Sequence, residues 1–120
     1  MVEFDYFRDI KEATSYKAGD IIFSAGDPDD LLYGIQDGEV DLMFNGELLE
    51  TVVKSGIFGE KSLIDESPHT TSAIAKTDCK IVKLDESKFL FLVHETPTFA
   101  LHVMRTMTKR TRTVMTMAMK

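Results

Sequence analysis

Val40-Asp41-Leu42-Met43-Phe44-Asn45-Gly46-Glu47-Leu48-Leu49-Glu50-Thr51-Val52-Val53 is the stretch from which the fold can be read. Val40, Leu42 and Phe44 alternate with Glu39, Asp41 and Met43, the period-two pattern of a half-buried strand. Asn45-Gly46 follows, the dipeptide preferred in two-residue hairpin turns, and Leu48 to Val53 returns as the partner strand. An antiparallel hairpin here sets the frame for the segments on either side.

Short strands continue in both directions. Upstream, Ile21-Ile22-Phe23 stops at the turn signal Ala25-Gly26-Asp27-Pro28-Asp29-Asp30, and Leu31 to Ile35 is a second strand ended by Asp37-Gly38. Downstream, Thr71 to Ala75 and Cys79 to Leu84 are two more, separated by Lys76-Thr77-Asp78. Such regular turn signals predict a small antiparallel barrel or jelly roll spanning residues 16–84. Helices are expected at both ends. Phe4, Phe7, Ile10 and Ala13, three apart among charges, predict a short amphipathic N-terminal helix over residues 4–14. Asp85 reads as the N-cap of a helix from Glu86 to His94, and Thr96-Pro97 opens a longer helix reaching about Met117. The expected architecture is therefore mainly β with flanking helices, in one domain over residues 1–120, its two C-terminal helices within 85–119.

Bulk properties narrow the function. The net charge of −6 is uneven: Phe99 to Lys120 holds Arg105, Lys109, Arg110, Arg112 and Lys120 with no acid. The remainder carries nine basic against twenty acidic residues, which is not the footprint of a nucleic-acid binder, so the tail cations read as a solvated helix face. Cys79 is the only cysteine, which leaves no intramolecular disulfide or multi-cysteine metal site and suits a reducing cytosol. No apolar run approaches the ~20 residues that span a bilayer, and Met1 to Asp9 carries three acids and no apolar segment, so a secretory signal is not expected. A cytoplasmic protein without membrane contact is the expectation. His69, His94 and His102 are scattered, and no Ser/His/Asp or Cys/His arrangement is visible, so neither a metal-dependent barrel enzyme nor other catalysis is expected.

Two stripes run along the long helix. Phe99, Val103 and Met107 are four apart and suit packing onto the barrel. Ala100, Met104, Met107, Thr111, Val114 and Ala118 follow the steps of a coiled-coil seam, from which a homodimer through the C-terminal helix is expected. The remaining stretch, residues 56–73, holds Gly56 and Gly59, the carboxylate Glu60, about one helical turn, then Pro68, His69 and hydroxyl-rich Thr70-Thr71-Ser72. Glycine lets backbone approach a ligand closely, and N–H groups at a helix start attract anions. A polar turn between strands is the alternative reading of the same residues.

The order of these features resembles the cyclic nucleotide-binding domain family. The resemblance rests on Tyr16-Lys17-Ala18-Gly19-Asp20-Ile21-Ile22-Phe23, Gly26-Asp27, Tyr33-Gly34-Ile35, Gly38-Glu39-Val40, Phe58-Gly59-Glu60 and the closing helices, and covers about Phe4 to Val114. It implies a β-roll whose phosphate-binding cassette is residues 56–73, a ligand such as cAMP or cGMP, and a regulatory role without catalysis. On this resemblance Phe58 belongs to the cassette motif, Gly59 offers a backbone N–H and Glu60 accepts from the ribose 2′-hydroxyl. Ser62 falls beside the phosphate, and Thr70 and Thr71 sit where a hydroxyl assists it. Thr111, Thr113 and Thr116 lie where some members contact the purine.

Two positions depart from the family pattern. Lys61 stands where an apolar residue is usual, and His69 stands where the family has an arginine gripping the phosphate. Imidazole cannot make the same two-pronged contact. A hydrogen bond to a charged group is worth ~1.5–3 kcal/mol, so this change weakens phosphate binding roughly ten- to more than a hundredfold. Two regulatory readings follow: a sensor whose ligand moves the C-terminal helices, or a family member that binds no cyclic nucleotide and serves as a dimerisation or interaction module or answers another small anion. Direct DNA contact would need a helix-turn-helix beyond the long helix, and no such element is read up to Lys120.

Overall fold

A computed structural model describes residues 5–119. The hairpin pairs β4 (Val40–Phe44) with β5 (Glu47–Val52), and its turn residues Asn45 and Gly46 have φ of 51° and 80°. Both are left-handed, as a twist-matched two-residue turn requires. Around it lie β1 (Thr14–Tyr16), β2 (Ile21–Phe23), β3 (Leu32–Asp37), β6 (Ile57–Phe58), α1 (Glu60–Asp65), β7 (Ser72–Ala75), β8 (Cys79–Leu84), α2 (Glu86–Glu95) and α3 (Thr98–Ala118). Two four-stranded antiparallel sheets result, in the orders β1-β8-β3-β6 and β2-β7-β4-β5.

Strand alternation divides the core in two. On β3, Tyr33 and Ile35 face the space between the sheets with Phe23, Leu42, Phe58, Ala73 and Ile81. Leu32, on the opposite face, joins Val82 and Leu84 of β8 beneath Phe99 and Val103 of α3. The first sheet is therefore covered on both faces, and helices close the side away from its partner sheet. Asp85 caps α2 as expected, accepting from the Lys88 N–H at 2.8 Å. Pro97 rather than Thr96 occupies the position before α3.

The expected N-terminal helix is not formed over its described part, residues 5–14; Phe4 lies outside the described residues. The chain instead turns at residues 6–9 and enters β1 at Thr14. The reason is tertiary. Phe7 is fully buried and fills a notch at Gly34, where an added Cβ would stand 2.4–2.6 Å from its ring. The Gln36 side-chain amide donates to the Phe7 and Ile10 carbonyls at 2.9 and 2.6 Å, taking acceptors that a helix would use for its own N–H groups. Among the described residues no helix is long and apolar enough to cross a membrane.

Candidate ligand-binding site

Strand β6 delivers Phe58 into the core and ends at Gly59, whose φ of 71° is left-handed. A side chain there is strained on backbone grounds. A Cβ would also come within 2.9 Å of Tyr33, 3.0 Å of His69 and 3.1 Å of Phe23. Glycine is thus required twice at the position that starts α1 and aims Glu60, the first residue of that helix.

Between α1, the β4–β5 hairpin and α3 lies a cavity of about 520 Å³, within the usual range of about 300–1,000 Å³ for small-molecule sites. One wall is apolar: Leu42, Phe44 and Leu49 come from the hairpin, Met107, Val114 and Met115 from α3. The other is polar, with Gly59, Glu60, Lys61, His69, Thr70 and Thr71, and Arg110 reaches in from α3. Of the residues singled out by sequence, Gly59, Glu60, His69, Thr70 and Thr71 are thus brought together. Phe58 and Ser62 lie outside the cavity lining. Phe58 is buried between the sheets, stacked on Tyr33 at 5.2 Å. Ser62 is fully buried, its Oγ accepting from the Asp30 N–H at 3.0 Å and donating to Asp29 at 3.4 Å. Thr111 lines the cavity, whereas Thr113 and Thr116 border a separate hollow beside Glu47 and Leu48.

Arg110 is the residue that sequence reading misplaced. It is not part of a solvated face: only 8% of it is exposed. Its Nη1 donates to Glu60 Oε1, its Nε to Glu50 Oε1 at 2.9 Å and its Nη2 to the Ile57 carbonyl at 2.6 Å. The carboxylate that the resemblance assigns to a ribose hydroxyl is therefore held by a guanidinium from α3. A signal was available in the sequence: Val103, Met107, Arg110 and Val114 follow four-three-four steps, so a cation interrupts an inward apolar stripe.

His69 is 3% exposed and faces away from solvent. Its ring stacks on Phe23 with centroids 3.7 Å apart and planes 8° from parallel, and its Nε2 lies 2.8 Å from Asp29 Oδ1. Asp29 also accepts from the Leu31 N–H at 3.0 Å and from the Tyr33 hydroxyl. Burial first, and then the bond to Asp29, pushes the Tyr33 hydroxyl well above its ordinary pKa. Asp29, read from sequence as turn punctuation, is thus the hub of a network beneath the cassette. Lys61 bonds to Ser67 Oγ at 2.8 Å and pairs with Asp65, which also lines the cavity, at 3.3 Å. Among the described residues no three His, Cys, Asp or Glu side chains converge as a metal ion would need.

The family model described as cyclic nucleotide-binding domain matches residues 13–96. The chain belongs to the cyclic nucleotide-binding domain family. Among curated proteins, the cAMP-dependent protein kinase regulatory subunit of Aspergillus niger is 41% identical over 85 residues, 68% of this chain and 20% of that protein. The corresponding subunit of Dictyostelium discoideum is 40% identical over 79 residues, 62% of this chain and 24% of that protein. The match spans only about a fifth to a quarter of these relatives. Among solved structures, the catabolite activator protein of Thermus thermophilus superposes with a TM-score of 0.72 at 26% identity, covering 91% of this chain and 59% of that one. A cAMP-bound PfPKA-R structure superposes with a TM-score of 0.78 at 23% identity, covering 89% and 37%, and shows the shared β-roll. The family relatives are regulatory domains, and this cyclic nucleotide-binding domain keeps their roll and closing helices.

Proposed function

We propose that this domain is a non-catalytic sensor in which a small ligand of the nucleotide kind enters the cavity, competes with Arg110 for Glu60 and so repositions α3. The observation that carries this reading is the Arg110–Glu60 bond, because anything that takes Glu60 acts directly on the helix. A ligand shifts such an equilibrium only by its difference in affinity for the two arrangements. Here that difference has a named source: in the latched arrangement the carboxylate is occupied, and in the released one it is free to accept hydroxyls. cAMP and cGMP are the first ligands to test, and a cytoplasmic regulator is the setting the family suggests. The alternative, an interaction module without a cyclic nucleotide, draws its support from His69, which is engaged with Asp29. Self-association through α3 belongs to the same reading. Met107, Thr111, Val114 and Met115 line the cavity, which leaves Leu101 and Met104 to meet a second copy.

The test is hydrogen exchange along α3 with and without saturating cAMP or cGMP, alongside thermal melting. A ligand at 100 times its dissociation constant adds about 2.7 kcal/mol. A ligand that raises the melting temperature should also change exchange at the amides around Arg110. Stabilisation with unaltered α3 exchange would detach the helix from the sensing account.

A further inference from the structure

Building on the sensing reading, we infer that this cavity selects an uncharged, hydroxylated ligand of the nucleoside kind over the corresponding cyclic phosphate. The argument is one of charge. Two cations, Lys61 and Arg110, line the cavity, and each already faces carboxylates. Arg110 lies between Glu60 and Glu50 with the Ile57 carbonyl as a third acceptor. Lys61 is paired with Asp65, itself a lining residue. His69, the remaining basic side chain on the cassette, turns its Nε2 to Asp29 and its ring face to Phe23. A phosphate at the Gly59–His69–Thr71 edge would therefore meet two cations, or three with His69 protonated, against Glu50, Glu60, Asp65 and Asp29. An anion brought out of water into such surroundings has no uncompensated partner, and burying a charge unpaired is costly.

A neutral ligand meets no such penalty. Its ring system has Leu42, Phe44, Met107 and Val114 to lie against. Its hydroxyls have the Glu60 carboxylate as acceptor and the Thr70 and Thr71 hydroxyls as neutral partners. Lys61 can swing, since its pair with Asp65 is solvent-exposed and weak, but Asp65 stays at the rim whichever way the lysine turns. Arg110, once a hydroxyl takes Glu60, still has Glu50 and the Ile57 carbonyl as partners. Ser62 adds nothing to an anion, because its hydroxyl is sealed against Asp29 and Asp30.

Isothermal titration of the chain with adenosine, guanosine, cAMP and cGMP tests this. One of the nucleosides should bind at least about tenfold more tightly than its own cyclic phosphate, with an affinity that changes little between low and high salt. His69→Arg replaces the imidazole with a longer, permanently charged fork that can bond a phosphate in two-pronged fashion, and should move the preference toward the cyclic phosphate by about tenfold or more. Tighter binding of cAMP or cGMP than of the nucleosides by the unaltered chain overturns the inference and leaves the sensing reading standing. Binding of none of the four, with the protein folded by circular dichroism, overturns both. Should His69→Arg fail to fold, the ranking and salt response of the unaltered chain still decide the matter.

Discussion

Replacing Arg110 by methionine isolates the bond on which the proposed coupling depends. Glu60 is 8% exposed and its carboxylate accepts from the Arg110 guanidinium, so the substitution leaves a buried carboxylate without that partner. Breaking a buried pair by removing one member costs about 3–5 kcal/mol. The Glu50 contact adds little, because the Glu50 side chain is 41% exposed and such pairs are worth about 0–1 kcal/mol. At roughly 2.1 cal/mol/K per residue, a loss of this size lowers the melting temperature by about 12–20 °C. Glu60→Gln is expected to be milder, about 1–2 kcal/mol, since Arg110 keeps Glu50 and the Ile57 carbonyl. The double replacement Arg110→Met with Glu60→Met removes both charges and should recover most of the loss, because exchanging a buried pair for apolar side chains is often neutral or stabilising. Urea denaturation of the single and double variants reads all three values. Additive losses in the double variant, or an Arg110→Met cost below about 1 kcal/mol, would mean that the two side chains are not coupled in the folded protein and that α3 is not tied to the cavity through them.

Further expectations concern the core, pH and assembly. Gly34→Ala should lower the urea midpoint by an amount equivalent to about 1–3 kcal/mol, because its methyl group would press on the Phe7 ring; an unchanged midpoint would show that Phe7 moves aside without cost. Tyr33 has its pKa raised by folding, so its contribution is complete below the unfolded value of about 10 and is lost as pH rises beyond it. Stability should then fall by about 1.4 kcal/mol per pH unit from this group, and Tyr33→Phe should remove that part of the slope. Cys79, raised by burial and then by Asp78, acts with the same sign from about pH 8.5 upward, and Cys79→Ala separates its share. Met104→Lys should reduce the sedimenting mass to that of a single chain if α3 pairs through its outer stripe, and a mass that stays dimeric would place the contact elsewhere.

The strands and the start of α2 were legible because their signals are local. Alternation over Val40–Phe44, the Asn45-Gly46 turn and Asp85 as N-cap each act through neighbouring residues, and each forms as read. β1 and β6 carry too few residues for a period to show. The N-terminal segment misled because its three-residue apolar spacing matches a helix, whereas Phe7 is governed by a notch 27 positions along the chain. Within the cavity, Glu60 and His69 were found from the motif, but their partners were not. Arg110 and Asp29 are 50 and 40 positions away from them respectively. Nothing in a motif announces a counter-ion at that separation. In both cases the residue type also suited a commoner role, a helix surface for arginine and a turn for aspartate.

The position of Arg110 within α3 has a mechanical consequence. Phe99, Val103 and Arg110 are the buried residues of the helix, and none follows over 111–118. Those final two turns are held only through partly exposed contacts at the cavity wall, and a segment so short holds its helical form in water only marginally without such support. Loosening one guanidinium would therefore do more than tilt a rod: it would shift the boundary between ordered and frayed chain upstream, and under the proposed sensing role the length of helix that remains would be the output.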